Sequence, residues 1–423
     1  MSSVLFLTQT HTPWGGMEWW VEEFGAWLQN RGWDVHAALA KGARFSDPAP
    51  YKRLHPSLPT VIMDASVGTE SARVRAVLGA IEKTRPDIVI PVGIGASYAA
   101  MRESKRGVRF VVPVLSYFPD TLANIIDNAD IVDAAVANAR LLLRFLQSHL
   151  GDRAHYVLQG VKPPLKYARS NSPKLRAGFV GRLEQASKRV FDLIDLPLGD
   201  DIELHIWGDG PDRDALQRAL PHTIFHGFAD KARLYEEAYP NLDVLLLMSE
   251  AEGSPNVVWE AMHHGVVPVV SRFLGIEAEG VLRSESNSMI FDVGDMQTAA
   301  AYLRRLRDDR ELLARLSQQA RKDMTEWTDT RMHEGWTAVL EQVLEREPLT
   351  PRARNVEQSP AGRLDRLFPS FADRVRAITG RRFPHRSGWE EWPGSEPVSA
   401  ERAESIAMEV RRLQDLGATP APE

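Results

Sequence analysis

Two glutamates with seven residues between them are the most informative feature of the sequence. Glu252 and Glu260 lie in the segment SEAEGSPNVVWE over residues 249–260. The pattern places Glu252 in a loop and Glu260 on a helix that begins around Pro255 or Asn256. A carboxylate can accept hydrogen bonds from two neighbouring hydroxyl groups, as on a ribose or a hexose. The alternative is that both acids favour the positive end of the helix dipole, which fits Glu260 poorly because it lies several residues into the helix.

Two cations in an earlier segment could bind a negatively charged group. The apolar run GFV over residues 178–180 leads into Gly181 and Arg182, and Lys188 follows six residues after Arg182. Cations at the carboxyl end of a strand can bind a diphosphate, since arginine offers a planar fork of donors and lysine a compact charge. Viewed alone, these residues would rather indicate solvated surface charge.

Two glycine-containing turns join predicted strands to helices. The segment PWGGME over residues 13–18 contains Gly15 and Gly16, and GDGP over residues 208–211 begins with Gly208. Glycine lets the backbone pass close to a ligand, and the amides at the start of the next helix can face an anion. Both segments are also compatible with ordinary strand-to-helix turns.

The composition excludes several kinds of chemistry. The 423-residue chain contains no cysteine, so disulfides, cysteine-ligated zinc, iron–sulfur clusters and thiol nucleophiles are excluded. A formal net charge of −6 disfavours non-specific nucleic-acid binding, which needs a basic face. No apolar run reaches about 18 residues, so we expect no transmembrane helix. The start of the chain is typical of a first buried strand rather than a signal peptide.

Apolar runs alternate with amphipathic stretches along most of the chain, which is typical of parallel sheets covered by helices on both faces. The first predicted strands comprise residues 4–7, 35–40, 60–63, 87–92 and 110–115. A linker near residues 160–174 precedes a second set, at 175–180, 203–207, 223–225, 244–248, 267–270 and 288–291. We therefore predict two doubly wound α/β domains, with a ligand at the carboxyl ends of their strands, in the cleft between the domains.

Together these segments resemble the retaining, nucleotide-sugar-dependent glycosyltransferases of family 4, which have the GT-B fold. The resemblance covers residues 1–346 and rests on motifs in the family's order: the glycine pair 15–16, GWDV at 32–35, QGV at 159–161, Gly181 and Arg182 with Lys188, GDGP at 208–211, and the two glutamates followed by Gly265 and Pro268. It implies two facing doubly wound Rossmann-like domains of the α/β class with a C-terminal helical extension.

The resemblance also implies a division of the chain. Residues 1–168 would form an acceptor-binding domain, and residues 169–325 a nucleotide-sugar-binding domain. A helix within residues 326–347 would cross back to the first domain. The resemblance does not cover residues 348–423, whose composition predicts an Arg- and Pro-rich tail that ends in a helix over residues 400–416.

For the site, the resemblance implies three catalytic residues. Arg182 and Lys188 would neutralise the donor diphosphate and help it leave, and Glu252 would contact hydroxyls of the donor sugar. The implied donor-binding set, in which Glu260 binds the ribose, comprises Gly15, Gly16, Gly181, Gly208, Gly253, Ser254, Pro255, Asn256, Val257 and Glu260. We expect no metal and no cofactor beyond the nucleotide-diphosphate sugar as co-substrate. Both UDP- and GDP-linked sugars stay open.

The first domain departs from the family pattern in one place. Family members often have a histidine after the strand that matches residues 111–115, whereas SYFPD follows here. We expect Ser116 or Tyr117 to occupy that place, or Asp120 to serve nearby.

Two residues near the first glycine turn are further candidates for the acceptor side. His11 could act as a base, with a structural or exposed role as the alternative. Trp14 could stack on a sugar or an apolar acceptor, because it flanks the glycine turn.

These expectations converge on a hexosyltransferase that retains configuration through front-face attack, in which the leaving diphosphate accepts the acceptor's proton. A nucleotide-sugar 2-epimerase of the same fold and a non-catalytic nucleotide-sugar- or carbohydrate-binding protein are the alternatives. We expect a nucleotide-sugar donor and a carbohydrate, lipid-linked or other acceptor as partners, and no specific nucleic acid. The expected setting is polysaccharide or glycoconjugate biosynthesis in the cytoplasm, with peripheral contact to the inner membrane face left open.

The tail has an unusual charge balance. Residues 351–386 hold nine arginines against three acidic residues. Such a segment could hold the protein on an anionic membrane surface or bind a polyanionic partner. It could equally be a solvated appendage that packs on the first domain.

Overall fold

Two parallel β-sheets with helices on both faces organise the chain, as the alternation of apolar runs predicts. The computed structural model describes residues 1–12, 15–165, 172–350, 375, 379 and 391–418. The first sheet is seven-stranded, in the order β3-β2-β1-β4-β5-β6-β7. Its strands are β1 Ser3–Thr8, β2 Asp34–Lys41, β3 Thr60–Asp64, β4 Ile88–Val92, β5 Arg109–Val114, β6 Ala134–Ala137 and β7 Ala154–Tyr156.

The second sheet is six-stranded, in the order β10-β9-β8-β11-β12-β13. Its strands are β8 Leu175–Val180, β9 Ile202–Trp207, β10 Ile224–Gly227, β11 Val244–Leu247, β12 Val267–Ser271 and β13 Met289–Phe291. Each sheet has one switch point, where the strand order reverses: between β1 and β4 in the first and between β8 and β11 in the second. Doubly wound domains usually bind their ligands outside the strand ends at this point.

The strands are apolar on both sides because helices cover both faces of each sheet. In β1, Val4 and Phe6 pack into one core cluster, whereas Leu5 and Leu7 pack into a second cluster on the opposite face. Every strand predicted from the sequence is present. The two that were not predicted, β6 and β7, have only four and three residues; β6 is mostly alanine, and β7 has no β-branched residue.

The helices follow the strands in alternation and continue beyond the second sheet. Those of the first domain are α1 Gly16–Gln29, α2 Pro48–Leu54, α3 Glu70–Thr84, α4 Ala96–Glu103, α5 Pro119–Asp127 and α6 Arg140–Leu150. Those of the second are α7 Gln185–Lys188, α8 Arg213–Ala219, α9 Lys231–Arg233, α10 Asn256–His263, α11 Ile276–Glu279, α12 Met296–Asp308 and α13 Arg310–Asp323; α14 Asp329–Leu344 and α15 Ala400–Ala418 follow. The side chains of Asp295, Asp309 and Thr328 cap α12, α13 and α14 at their first backbone amides.

Helix α14 returns from the second domain and packs on the first. Its apolar face, including Trp336 and Leu340, belongs to the same core cluster as Phe6. At the crossing, Val161 pairs with Thr328, and a Cβ on Gly160 would overlap the Thr328 carbonyl. The two chain crossings between the domains therefore lie side by side.

The described part of the tail, residues 391–418, also packs on the first domain. Helix α15 lies against α5 and α6, and it reaches α11 of the second domain, where Gln414 accepts a hydrogen bond from the backbone N–H of Gly275 at 2.8 Å. Most of the Arg-rich stretch, 351–374 included, lies outside the described residues. Among the helices that are described, none has the length and apolar character needed to cross a membrane.

Candidate functional site

The switch point of the second sheet brings two predicted site residues together. Nζ of Lys188, at the end of α7, lies 2.6 Å from Oε1 of Glu252. The hydroxyl of Ser249, just after β11, donates to the same carboxylate oxygen at 2.6 Å. The Glu252 side chain is 12% exposed, and that of Lys188 is 29% exposed. Since a lysine ammonium has three donors, Lys188 can hold Glu252 in place and still bind an anion in the cleft.

Arg182 lies at the same edge of the sheet, and its charge affects the pKa of His11 in the first domain. The Arg182 side chain is 53% exposed, with Nη2 3.5 Å from Oε1 of Glu184. Burial lowers the pKa of His11 below its usual value, and the charge of Arg182 lowers it further. The charge of the predicted diphosphate-binding arginine therefore reaches the predicted acceptor-side histidine of the other domain.

Glu260 lies on the buried face of α10, where Tyr239 holds it. The Tyr239 hydroxyl donates to Oε2 of Glu260 at 2.6 Å, and Glu260 is 7% exposed. Burial raises the pKa of Glu260, while the Tyr239 hydrogen bond and the charge of Lys231 oppose part of that rise. Sequence reasoning missed Tyr239, because this contact joins two elements 21 residues apart and leaves no local pattern.

Helix α10 begins at Asn256 with Pro255 as its N-cap residue, as the sequence predicts. Just before it, the Ser254 hydroxyl accepts a hydrogen bond from the indole N–H of Trp259 at 2.8 Å. Val257, in the first turn, packs against the apolar cluster beneath the helix. The side chains of this segment therefore fix the loop, and its backbone amides point along the helix start toward the cleft.

At two of the predicted glycines, another backbone segment lies too close to leave room for a side chain. A Cβ on Gly253 would overlap the carbonyl oxygen of Leu115, so the loop before α10 meets the first domain directly. Gly208 has a φ of +148°, and a Cβ there would overlap the carbonyl oxygen of Gly181. The turns after β8 and β9 therefore pack on each other, which a side chain at position 208 would prevent.

A cavity of about 230 Å³ lies between the two domains, beside the loop that precedes α10. It is lined by four polar residues, namely Asn138, Gln159, Ser254 and Asn256, and by Gly16 together with the mainly apolar residues Met17, Trp20, Pro113, Leu115, Val136, Ala137, Val157 and Trp336. Three predicted donor-binding residues, Gly16 from the first domain and Ser254 and Asn256 from the second, therefore share this cavity.

An acid with a displaced pKa lies under the first glycine turn. The carboxylate of Glu18, which is 3% exposed, folds back over Gly15, where an added Cβ would overlap Oε2. Burial raises the pKa of Glu18 to about 7, although a backbone hydrogen bond opposes the rise. Sequence reasoning included Glu18 in the glycine motif but assigned it no role, because its burial depends on the packing of α1.

The structure places the three candidates after β5 differently. Ser116 is half-buried. The Tyr117 hydroxyl lies against Gly275 of the second domain and has no hydrogen-bond partner within the described part of the chain, and burial raises the pKa of Tyr117. Asp120 accepts a hydrogen bond from the backbone N–H of Val398 at 3.0 Å, so its carboxylate binds the tail.

One predicted acceptor-side residue, Trp14, lies outside the described residues. Over the residues that are described, no group of three or more His, Asp or Glu side chains is placed to hold a metal ion.

Part of the chain matches proteins of known family. Residues 167–323 match the family Glycosyl transferases group 1. A GDP-mannose-dependent alpha-mannosyltransferase of Mycolicibacterium smegmatis is 44% identical over 94 residues, which are 22% of this chain and 24% of that relative. Its namesake from Mycobacterium tuberculosis is 34% identical over 144 residues, which are 33% of this chain and 37% of the relative. The chain therefore spans well under half the length of these curated relatives.

Solved structures match over a larger part of the chain. The apo form of the lipopolysaccharide outer core galactosyltransferase WaaB is 18% identical with a TM-score of 0.63, over 80% of this chain and 99% of that one. Alr3699/HepE of Anabaena, in complex with UDP, is 17% identical with a TM-score of 0.66, over 81% of this chain and 100% of that one. At such identities the likeness shows the fold alone. The chain thus has the GT-B fold, and its residues 167–323 match the group 1 glycosyltransferases, in agreement with its resemblance to nucleotide-sugar-dependent glycosyltransferases of that fold.

Proposed function

We propose that the protein is a glycosyltransferase that moves a hexose from a nucleotide-diphosphate sugar to an acceptor with retention of configuration. The observation that carries the proposal is the Lys188–Glu252 pair at the switch point of the group 1 domain. A donor of this class presents an anionic diphosphate next to several hydroxyl groups. Lys188 and Arg182 suit the diphosphate, and Glu252 suits the hydroxyls.

We further propose GDP-mannose as the donor, because three curated relatives are named GDP-mannose-dependent alpha-mannosyltransferases. Their identity to this chain is 44%, 34% and 35% over the matched segments. UDP-glucose is the second donor to test. The acceptor is a carbohydrate or a lipid-linked glycan that enters the cleft from the first domain.

In the proposed reaction, the bond between C1 of the hexose and the diphosphate oxygen breaks while the acceptor oxygen bonds to C1 from the same face. The acceptor's proton passes to the departing diphosphate, so no protein base is required. Lys188 and Arg182 stabilise the charge that develops on the diphosphate. Glu260, held by Tyr239, accepts hydrogen bonds from the ribose hydroxyls.

Release of GDP from GDP-mannose by the full chain, measured with and without methyl α-mannoside, tests the proposal. We expect Lys188→Ala to slow release roughly 10²–10³-fold, as for other removed electrostatic contacts to a transition state. Lys174→Ala is the matched control, because Lys174 pairs with Glu203 at 3.6 Å on the surface of the same domain. Turnover of Lys188→Ala at the wild-type rate would contradict the assignment.

The same experiment separates the alternatives. Inversion of the donor sugar at C2 without an acceptor would indicate an epimerase. Donor binding, seen as a thermal shift, without turnover by either donor or with any acceptor offered would indicate a binding protein.

A further inference from the structure

A buried amide in the first domain lines the cavity between the domains, and its oxygen has no hydrogen-bond partner in the described part of the chain. Asn138 follows β6 at the carboxyl edge of the first sheet and is 7% exposed. Its Oδ1 atom is buried and has no hydrogen-bond partner among the residues that the structure describes. Buried polar groups in folded proteins are nearly always satisfied, so an orphan of this kind indicates a missing partner.

The position of Asn138 shows what kind of partner is missing. It lines the cavity between the domains, and its Oδ1 lies 3.1 Å from the point that a Cβ of Gly253 would occupy. Gly253 directly follows Glu252, the residue to which the proposed function assigns the donor sugar. The Asn138 amide therefore lies beside the loop that carries Glu252.

The other residues that line the cavity, and its volume, indicate the size and polarity of the missing partner. Among its polar residues, Ser254 already accepts a hydrogen bond from Trp259, and the Gln159 amide donates to the Met332 sulfur at 3.5 Å. Most other walls are apolar. The volume of about 230 Å³ lies below the roughly 300–1,000 Å³ typical of pockets for drug-sized ligands, and it suits a single sugar ring rather than a whole nucleotide.

We propose that Asn138 binds a hydroxyl group of the donor hexose and so contributes to sugar specificity from the first domain. A hydroxyl can donate to the amide oxygen or accept from the amide nitrogen, so it can pair with either end of the amide. The inference rests on the proposed function, since it needs a nucleotide sugar in the second domain. It adds that the hexose is held from both domains, by Glu252 on one side and Asn138 on the other.

Titration calorimetry with the full chain tests this assignment, using GDP and GDP-mannose as probes and UDP with UDP-glucose as a second pair. We expect Asn138→Ala to bind the nucleoside diphosphate as the wild type does, and to bind the nucleotide sugar about ten-fold more weakly, the effect of one hydrogen bond. The fold is retained because Oδ1 makes no bond within the described chain. Asn241→Ala is the control, since Asn241 is exposed on the second domain and its amide donates to the backbone carbonyl of Glu237 at 2.8 Å.

Donor analogues that lack one hydroxyl at a time sharpen the test. The analogue that lacks the hydroxyl bound by Asn138 should bind the wild type and Asn138→Ala with equal affinity, because this hydrogen bond is then absent from both complexes. Unchanged nucleotide-sugar affinity in Asn138→Ala, or an equal loss for the nucleoside diphosphate and the nucleotide sugar, would overturn the inference while leaving the proposed function intact. A wild-type protein that binds none of the four probes would overturn both.

Discussion

The two domains share one topology, but their switch points are filled in different ways. In the second domain the crevice between β8 and β11 holds ionisable side chains, Lys188 and Glu252, that remain partly exposed. In the first domain the crevice between β1 and β4 holds the protein's own tail. The amide of Gln9 donates to the Trp392 carbonyl at 2.9 Å, and the backbone N–H of Gly95 donates to the Pro393 carbonyl at 2.8 Å.

The tail also occupies an anion-binding loop of the first domain. The Glu391 carboxylate accepts the backbone N–H groups of residues 43–46, at 2.7, 2.8, 2.9 and 2.8 Å. Burial raises the pKa of Glu391, but these four hydrogen bonds outweigh it and bring the pKa below its usual value. The carboxyl edge of the sheet thus binds the protein's own tail in the first domain. In the second domain the same edge stays available to a ligand.

The largest effect that tests this comparison is on stability. Trp392 is 2% exposed and belongs to the core cluster of the first domain, and its indole N–H donates to the Lys41 carbonyl at 3.2 Å. We expect Trp392→Ala to lower the free energy of unfolding by about 3–5 kcal/mol, measured by urea denaturation. GDP affinity should not change, because the substitution lies in the other domain.

Met408→Ala is the matched control for the tail, since Met408 lies on α15 and is 59% exposed. A loss below about 1 kcal/mol in Trp392→Ala would show that the tail is only loosely attached, and the contrast between the two crevices would then fail.

The second-largest expected effect is on turnover, and it concerns the contact between the loop before α10 and the first domain. A Cβ at Gly253 would overlap the Leu115 carbonyl of the first domain, so we expect Gly253→Ala to prevent full closure of the cleft. GDP binding to the second domain should persist, while turnover should fall about 10²-fold, as for a misplacement near 1 Å. Single-turnover kinetics beside GDP titration measures both quantities. Equal losses in binding and turnover would instead place the defect within the second domain.

The sequence predicted the second crevice better than the first. Lys188 and Glu252 each belong to a local motif beside a strand, and the structure brings them together. The bond between Gln9 and Trp392 joins residues 383 positions apart, and neither residue has a neighbour whose type or spacing indicates the contact. For the same reason the tail's two alternatives stayed open in the sequence. The structure shows that residues 391–418 pack on the first domain, while most of the Arg-rich stretch lies outside the described residues.

A third prediction uses Glu18, the buried acid under the first glycine turn. Burial raises the pKa of Glu18 from 4.5 to about 7, so the folded state binds a proton more tightly than the unfolded chain does. This acid therefore costs no stability below about pH 4.5, and its cost grows as the pH rises to about 7, where it levels off. We expect Glu18→Gln to be more stable than the wild type by roughly 3 kcal/mol at pH 8 and to lose most of this advantage at pH 4.5. Urea denaturation at both pH values measures it, and an advantage independent of pH would contradict the assignment.

The smallest effect concerns the tail carboxylate, whose pKa is displaced in the opposite direction. Because hydrogen bonds keep the folded-state pKa of Glu391 below its usual value of 4.5, its contribution to stability is fully present above that pH and is lost as the pH falls through the folded pKa. Glu391→Gln replaces one oxygen with an amide that cannot accept from the loop, so we expect a loss of about 1–2 kcal/mol at pH 7. Since the side chain is partly exposed, the lower end of that range is expected at high salt.

The difference between Glu391→Gln and the wild type should shrink as the pH falls from 4.5 toward 3. A constant difference would mean that the charge of Glu391 does not hold the loop, and that the first crevice depends on Trp392 alone.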